Sequence, residues 1–155
     1  MTYKSGSFVA LLKTKKKMPP PDKMTIPKPK PKVESERIIH ILVVDDLKVN
    51  YLLVKAMLGK LNAQIYYTES GFKAIEHVRS SNKIDVVLMD FNMPGMDGRE
   101  TTELIKSFKP NLPVISLSTF TDKAVFDQSS APYDAYITKP VNPELLIELI
   151  FKVIQ

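Results

Sequence analysis

The 155-residue sequence predicts an open, doubly wound α/β sheet that follows a basic linker, and two regular features of residues 38–155 carry the fold prediction. Five short runs rich in apolar and β-branched residues are separated by segments whose apolar residues recur at spacings of three and four. Strict alternation of strand and helix requires parallel strands joined by right-handed crossovers. Helices are therefore expected on both faces of the sheet.

Three runs in the first half of this region predict buried strands. IIHILVV at 38–44 is almost continuously apolar, as strands covered on both faces are, and QIYYTE at 64–69 and IDVVLMD at 84–90 follow it. The two segments between these strands have the periodicity of amphipathic helices. Their apolar positions are Val49, Leu52, Leu53, Ala56, Met57 and Leu61 in the first helix and Phe72, Ile75 and Val78 in the second.

The second half of the region continues the alternation. A third helix is predicted from Gly98 to Phe108, and PVISLS at 113–118 and DAYIT at 134–138 predict the fourth and fifth strands. A short, weakly patterned helix is expected near 121–130. The last helix begins at Asn142-Pro143-Glu144, because a capping side chain, a proline at the first position and an acid in the first turn favour a helix start.

The basic and proline-rich composition belongs to the front of the chain. Residues 1–37 contain 10 Lys and Arg against 3 Asp and Glu, whereas residues 38–155 contain 12 against 14. Six of the twelve prolines also lie in the front part, and such a sequence buries too little apolar surface to fold. Residues 14–37 are therefore predicted to be a solvated linker that ends near Arg37. Nucleic-acid binding is not expected, because no aromatic residues alternate with the lysines.

The composition also argues against several other classes of protein. The chain has no cysteine, so it forms neither a disulfide framework nor a thiolate metal site. No apolar run approaches the roughly 18 residues that a membrane span needs. The first residues, MTYKSGSFVALLKTKKK, lack the charge order of a secretion signal. We therefore expect a cytoplasmic protein without membrane contact.

Polar residues stand at the carboxyl ends of four predicted strands, where doubly wound sheets bind their ligands. Asp45 and Asp46 follow the first strand, Asp90 ends the third, Ser118 ends the fourth, and Lys139 follows the fifth. Each has an ordinary explanation when taken alone, such as a helix cap, a turn or an exposed strand end. Together they bring three carboxylates, a hydroxyl and an ammonium group to one edge of the sheet.

This combination of side chains favours phosphoryl chemistry with a divalent metal. Three carboxylates close together repel one another unless a cation is present, and carboxylate oxygens without His or Cys suit Mg²⁺. Lys139 can supply a point charge and Ser118 a hydrogen bond to phosphoryl oxygens. With its charge screened in this way, Asp90 is a candidate nucleophile toward phosphorus.

Four motifs of this region resemble the receiver domain of two-component signalling. They are LVVDDLKVN, VLMDFNMPGMDG, PVISLS and YITKP, and the resemblance extends from about Ile38 to Gln155. It implies a flavodoxin-like fold with strand order 2-1-3-4-5. It also implies that Asp90 is the phosphoacceptor, with Mg²⁺ bound by Asp45 and Asp46 together with Asp90 itself and the carbonyl of Asn92.

The same resemblance assigns roles to three further residues. Ser118 and Lys139 are expected to bind the phosphoryl group, with a cis peptide bond between Lys139 and Pro140. Tyr136 matches the family's switch aromatic, whose ring turns inward when Ser118 is drawn toward the phosphoryl group. The loop from Met93 to Gly98 is expected to direct the Asn92 carbonyl toward the metal.

Two positions depart from the family pattern. Thr119 stands where alanine is usual, so the phosphoryl pocket is expected to be tighter toward small donors and water. Pro132 stands where a glycine is common before the fifth strand, which is expected to change how the preceding helix ends. Neither departure removes a reactive group.

The first residues have two competing interpretations. YKSGSFVALLK at 3–13 loosely resembles the last strand of the ATP-binding domain of a histidine kinase, which would make this chain the receiver end of a hybrid histidine kinase. Alternatively, residues 1–13 are a disordered leader. In either case the expected partner is a histidine kinase or a histidine phosphotransfer domain, and no DNA-binding output domain is expected after the last helix.

The last helix has two apolar stripes, although a half-buried helix needs only one. Leu146, Leu149, Ile150 and Val153 form the expected core stripe. The second stripe, Ile147, Phe151 and Ile154, is predicted to be a partner surface, either a homodimer contact or a docking site for a kinase or phosphotransfer domain. The alternative is that the domain itself covers this stripe.

Three alternative functions remain open. An aspartyl-phosphate phosphatase of the haloacid-dehalogenase type shares the nucleophile and metal but requires an acid two residues after Asp90, where this chain has Asn92. A flavin-binding domain requires a small polar phosphate cradle after the first strand, where Asp45 and Asp46 stand. A docking domain that is never phosphorylated is the third. No free-standing enzyme activity is expected beyond self-phosphorylation and slow hydrolysis.

Overall fold

The computed structural model describes residues 37–119 and 131–155. The predicted leader, nearly all of the linker and the weakly patterned helix near 121–130 lie outside the described residues. None of the helices in the described ranges is long and apolar enough to cross a membrane. The elements are β1 (Ile39–Val44), α1 (Lys48–Met57), β2 (Ala63–Thr68), α2 (Gly71–Ser80), β3 (Val86–Asp90), α3 (Gly98–Phe108), β4 (Val114–Ser118), β5 (Ala135–Thr138) and α4 (Pro143–Val153).

The five strands form one parallel sheet in the order β2-β1-β3-β4-β5, which confirms the predicted fold class and strand order. β1 and β3 lie side by side in the middle of the sheet, although a strand and two helices separate them in sequence. The residues that follow these two strands are therefore neighbours at the carboxyl edge.

Side chains along each strand alternate between two apolar layers. Ile41, Val43 and Leu88 pack with residues of α1 and α4, on what we call the α1/α4 face. Leu42 and Met89 pack with residues of α2 and α3, on the α2/α3 face. Both layers are fully buried at these positions, which explains why β1 and β3 read as continuous apolar runs.

Three of the four described helices begin with a capping side chain. Ser70 accepts a hydrogen bond from the main-chain N–H of Lys73, and Asp97 accepts one from that of Glu100. The Asn142 side chain accepts one from the main-chain N–H of Leu145 at 2.8 Å, as the sequence predicts. α1 differs, because its N-cap is Leu47 and no side chain caps it.

The structure corrects the orientation of α1. The helix is where the sequence predicts it, but Val49, Leu52 and Leu53 are 58%, 51% and 54% exposed. The core contacts are made by Val54, and by Leu58 just beyond the helix. Most of the predicted stripe is thus on the outer face, although Leu61 packs against the core as predicted. The reason is that α1 has a second apolar stripe, which fills the space against the sheet.

α2 shows a milder form of the same correction. Its core contacts come from the small residues Gly71 and Ala74 together with Val78. Phe72, a predicted core position, is 66% exposed.

Candidate functional site

Three carboxylates converge at the carboxyl edge of the sheet, as the sequence predicts. One oxygen from each of Asp45, Asp46 and Asp90 lies within 4.8 Å of the other two. Asp45 is completely buried, Asp90 is nearly so, and Asp46 is half-buried. The convergence follows from the topology, because β1 and β3 are adjacent parallel strands that end at the same edge.

Lys139 completes the cluster from the end of β5. Its Nζ donates to Asp90 Oδ1 at 2.7 Å and to Asp45 Oδ2 at 3.2 Å. Strand alternation explains this meeting, because Asp45, Asp90 and Lys139 continue the rows of Val43, Leu88 and Ile137 on the α1/α4 face. The peptide bond from Lys139 to Pro140 is cis, which confirms that prediction.

The charges of the cluster remain unbalanced despite the lysine. Burial raises the pKa of Asp90, and the nearby charges of Asp45 and Asp46 add to the increase, while Lys139 opposes it without cancelling it. Burial alone would lower the pKa of Lys139, but its bonds to Asp90 and Asp45 outweigh burial and the pKa is raised. The site therefore favours a further positive charge beside Asp90.

Asp45 is held by a residue that the sequence analysis missed. Its Oδ1 accepts hydrogen bonds from Asn50 Nδ2 at 3.0 Å and from the main-chain N–H of Leu47 at 2.9 Å. With Lys139 on the other oxygen, both oxygens of the buried carboxylate are bonded. The available signal was the short spacing between Asp45 and Asn50, which brings the first turn of a following helix back over the strand end.

The two predicted switch residues lie on the opposite side of the sheet from Lys139. Ser118 is buried at the end of β4, and Tyr136 is half-buried on β5. The register pairs Ser118 with Thr138 and Ser116 with Tyr136, so Ser118 and Tyr136 share the α2/α3 face.

Neither of the two residues that depart from the family pattern belongs to the acid cluster. Thr119, directly after β4, is exposed, and Pro132 is half-buried before β5.

The loop between β3 and α3 is packed tightly against the end of β3. Met93 and Met96 are buried, and Gly95 has a φ of +84°, a conformation that favours glycine. The main-chain N–H of Gly98 donates to the carbonyl of Phe91 at 3.0 Å. A Cβ at Gly98 would lie 2.2 Å from the carbonyl oxygen of Asp90, so this position has no room for a side chain.

The predicted partner stripe on α4 is not the main exposed apolar surface of the described residues. Ile147, Phe151 and Ile154 are half-buried and pack against the α1/α4-face core. The exposed apolar residues concentrate on α1, and we call them the α1 apolar patch: Leu47, Val49, Leu52 and Leu53.

A cavity of about 160 Å³ lies between α1 and the acid cluster. Asp45 and Lys139 line its polar end, and Leu53, Met57 and Val141 are among the residues that line the rest. Of the α1 apolar patch, Leu53 reaches this opening.

The donor set at this edge fits a hard divalent cation. The cluster contains carboxylates and neither His nor Cys, and Mg²⁺ prefers oxygen ligands of this type. The raised pKa of Asp90 agrees with a site that is complete only with an added positive charge.

Comparisons with known proteins agree with the geometry. The response regulator receiver domain model matches residues 41–151. The sensor protein GacS of Pseudomonas syringae pv. syringae is 35% identical over 126 residues, which cover 76% of this chain and 14% of GacS. The sensor histidine kinase RcsC of Salmonella typhimurium is 35% identical over 117 residues, covering 73% of this chain and 12% of RcsC. The chain thus spans only 14% and 12% of the length of these two relatives.

A solved structure supports the same assignment. The receiver domain of sensor histidine kinase PA1611 from Pseudomonas aeruginosa PAO1 matches with a TM-score of 0.69 and 25% identity. The match covers 76% of this chain and 98% of that domain. The PA1611 structure contains a magnesium ion coordinated in its active site cleft.

Proposed function

Because this chain belongs to the receiver domain family of two-component and phosphorelay signalling, we propose that Asp90 accepts a phosphoryl group from a phosphohistidine. The observation that carries the proposal is the bond of 2.7 Å from Lys139 to Asp90 within a cluster of three carboxylates. An ordinary structural ion pair has no need of two further acids beside it, since each one raises the pKa of Asp90.

The transfer exchanges one bond to phosphorus for another. The phosphorus–nitrogen bond of the donor breaks, its electron pair returns to the imidazole, and a carboxylate oxygen of Asp90 forms the new phosphorus–oxygen bond. The ammonium group of Lys139 exchanges its bond to the Asp90 carboxylate for a bond to a phosphoryl oxygen, and the Ser118 hydroxyl donates to another phosphoryl oxygen. Asn50 keeps Asp45 oriented while Lys139 moves.

Mg²⁺ is the cofactor that this mechanism requires. We assign Asp45, Asp46, Asp90 and the carbonyl of Asn92 to its site, and when bound it neutralises charge between the acids and the incoming phosphoryl group. Asp45 already receives three hydrogen bonds from protein donors. These bonds hold its carboxylate in place beside Asp46 and Asp90.

The response to phosphorylation is proposed to pass through Ser118 and Tyr136. Both residues lie on the α2/α3 face, where Tyr136 is two residues before Thr138, the β5 residue that pairs with Ser118. Movement of the Ser118 hydroxyl toward the phosphoryl group vacates space beside β5, and the half-buried ring of Tyr136 turns into it. A local bond of this kind acts by biasing an element with two stable positions.

The donor is proposed to dock on the α1 apolar patch. The patch is exposed, and its residue Leu53 lines the cavity that reaches Asp45 and Lys139, so an apolar surface next to a phosphohistidine can cover the patch while the histidine approaches Asp90. The expected donor is a histidine kinase or a phosphotransfer domain in the cytoplasm. The half-buried stripe on α4 remains a prediction for a second contact, including a homodimer.

The test is phosphorylation with acetyl phosphate and Mg²⁺, read by intact-protein mass. We expect a gain of one phosphoryl group in the wild type and none in Asp90→Asn, which keeps the shape of the side chain. Asp97→Asn is the matched control, because Asp97 caps α3 outside the cluster and the variant should still gain the group. An unmodified wild type, or a modified Asp90→Asn, would exclude the proposal and favour an unphosphorylated docking domain or another acceptor.

A further inference from the structure

We propose that Gly71, the first residue of α2, is a positioning residue for the metal and phosphoacceptor site, because a side chain there would displace the loop that carries Asn92. The inference rests on the proposed function of the site. Gly71 belongs to neither the acid cluster nor its motifs, and it lies on a helix that contributes no residue to the cluster.

Gly71 lies at a close contact between α2 and α3. Gly71 is buried, and a Cβ at this position would lie 2.1 Å from Thr101 Oγ1 and 3.2 Å from the Cγ and Sδ atoms of Met96. A separation of 2.1 Å is far inside contact distance, so one of the partners must move. Met96 belongs to the loop between Asp90 and α3.

The side chain of Thr101 cannot move away without losing a buried hydrogen bond. Its side chain is completely buried, and its Oγ1 donates to the carbonyl of Asp97 at 2.7 Å. The main-chain N–H of Thr101 donates to the same carbonyl at 3.0 Å. Displacing the hydroxyl leaves a buried polar group without its partner and loosens Asp97, the last residue of the loop.

The start of α3 is also in close contact with β3. Gly98 follows Asp97 and packs so closely on Asp90 that a Cβ would lie 2.2 Å from its carbonyl oxygen. The first turn of α3 is therefore held between Gly71 on one side and the main chain of Asp90 on the other. A displacement that begins at Gly71 is transmitted to both ends of the loop that presents Asn92.

The experiment compares Gly71→Ala with wild type in the intact chain. Helix propensity alone favours alanine over glycine at a helical position, so a harmful effect must come from the contact. We expect Mg²⁺ affinity, measured by calorimetric titration, to fall by roughly tenfold to a hundredfold, as when supporting contacts of metal ligands are removed. Phosphorylation by acetyl phosphate at fixed Mg²⁺ should slow in parallel.

A metal-free readout separates displacement of the loop from loss of activity. Amide chemical shifts of residues 91–93 and 95–97 should change in Gly71→Ala without Mg²⁺. The matched control is Gly59→Ala, since Gly59 is exposed near the end of α1. A Cβ there would lie 3.2 Å from the carbonyl oxygen of Ala56 and meets no residue of the loop or the acid cluster, so the substitution should leave both the shifts and the affinity unchanged.

The path through Thr101 has its own test. On a Thr101→Ala background the clashing oxygen is absent, so adding Gly71→Ala should cost little further affinity. Additive losses would overturn the path. If Gly71→Ala does not fold, Thr101→Ala alone should still weaken Mg²⁺ binding, because it removes the donor to Asp97, and unchanged affinity would overturn the inference.

The outcomes also separate this inference from the proposed function. If wild type binds Mg²⁺ and is phosphorylated while Gly71→Ala matches it, only the inference fails. If wild type does neither, the proposed function fails and the inference with it.

Discussion

α1 and α4 cover the same face of the sheet, yet they use their apolar residues in opposite ways. α4 buries Leu146 and Ile150 completely and starts at a capping Asn142. Within α1 only Val54 is buried, its start has no side-chain cap, and its apolar patch faces outward. The helix next to the acid cluster therefore keeps apolar surface exposed, while the helix that closes the fold buries it.

This contrast indicates where the stability of the domain resides, and it supports the proposed docking of the donor on α1. Exposed apolar surface that is contiguous and borders a polar site marks a place where another molecule binds. In α1 the exposed residue Leu53 lines the cavity beside Asp45. α4 has Leu145 as its most exposed large apolar residue, at 42%, and its remaining stripes contribute to the core.

The largest expected effect on stability is in α4. Ile150→Ala should lower the free energy of unfolding by about 2–5 kcal/mol, because it leaves a cavity in a fully buried layer. Urea denaturation measures the change. Leu145→Ala, on the exposed side of the same helix, should stay within about 0.5 kcal/mol of wild type. Equal losses in the two variants would contradict the division of α4 into a core side and an outer side.

A smaller effect, on recognition instead of stability, is expected in α1. Leu52→Lys should change the free energy of unfolding by less than about 0.5 kcal/mol, since Leu52 is exposed. Transfer from a phosphorylated histidine domain should slow roughly tenfold, equivalent to about 1.4 kcal/mol of binding.

Two controls make the α1 experiment specific. Phosphorylation of Leu52→Lys by acetyl phosphate should remain normal, because a small donor needs no docking surface. Leu145→Lys places the same charge on α4 and should leave transfer from the histidine domain unchanged. If Leu145→Lys impairs transfer and Leu52→Lys does not, the proposal that the donor docks on α1 is wrong.

The smallest effect concerns the helix starts. Asn142→Ala should destabilise the domain by about 1 kcal/mol, because the main-chain N–H of Leu145 loses its acceptor. Leu47→Ser introduces a capping side chain where α1 has none, and thermal denaturation should detect a small gain in stability. A loss on Leu47→Ser as large as that on Asn142→Ala would mean that Leu47 already stabilises the start of α1 by packing.

The strands and the acid cluster were predictable from the sequence because few geometric rules determine them. Alternating strands and helices fix parallel order, and parallel order brings residues that follow adjacent strands to one edge. Asp45, Asp90 and Lys139 therefore meet as expected. The rules concern the backbone, and they hold whatever side chains fill the core.

The orientation of α1 and the residues that support the site were not predictable in the same way. A helix with apolar residues on two sides satisfies the periodicity rule in either orientation, and the sheet accepts the side with Val54. Gly71 and Thr101 are thirty residues apart in sequence, so nothing local reveals that one must lack a side chain to fit the other. Asn50 required knowledge of how the first turn of α1 crosses the end of β1.

The alternation of side chains along the strands has a consequence for how a signal leaves this site. Lys139 lies on the α1/α4 face of the sheet and Ser118 on the α2/α3 face. A single phosphoryl group bound by both residues would therefore link the two faces, which the sheet otherwise separates. A phosphoryl group added on the α1/α4 face would then affect residues on the α2/α3 face directly, without a long chain of side-chain contacts. The carboxyl edge of the sheet is the place where the two faces are closest.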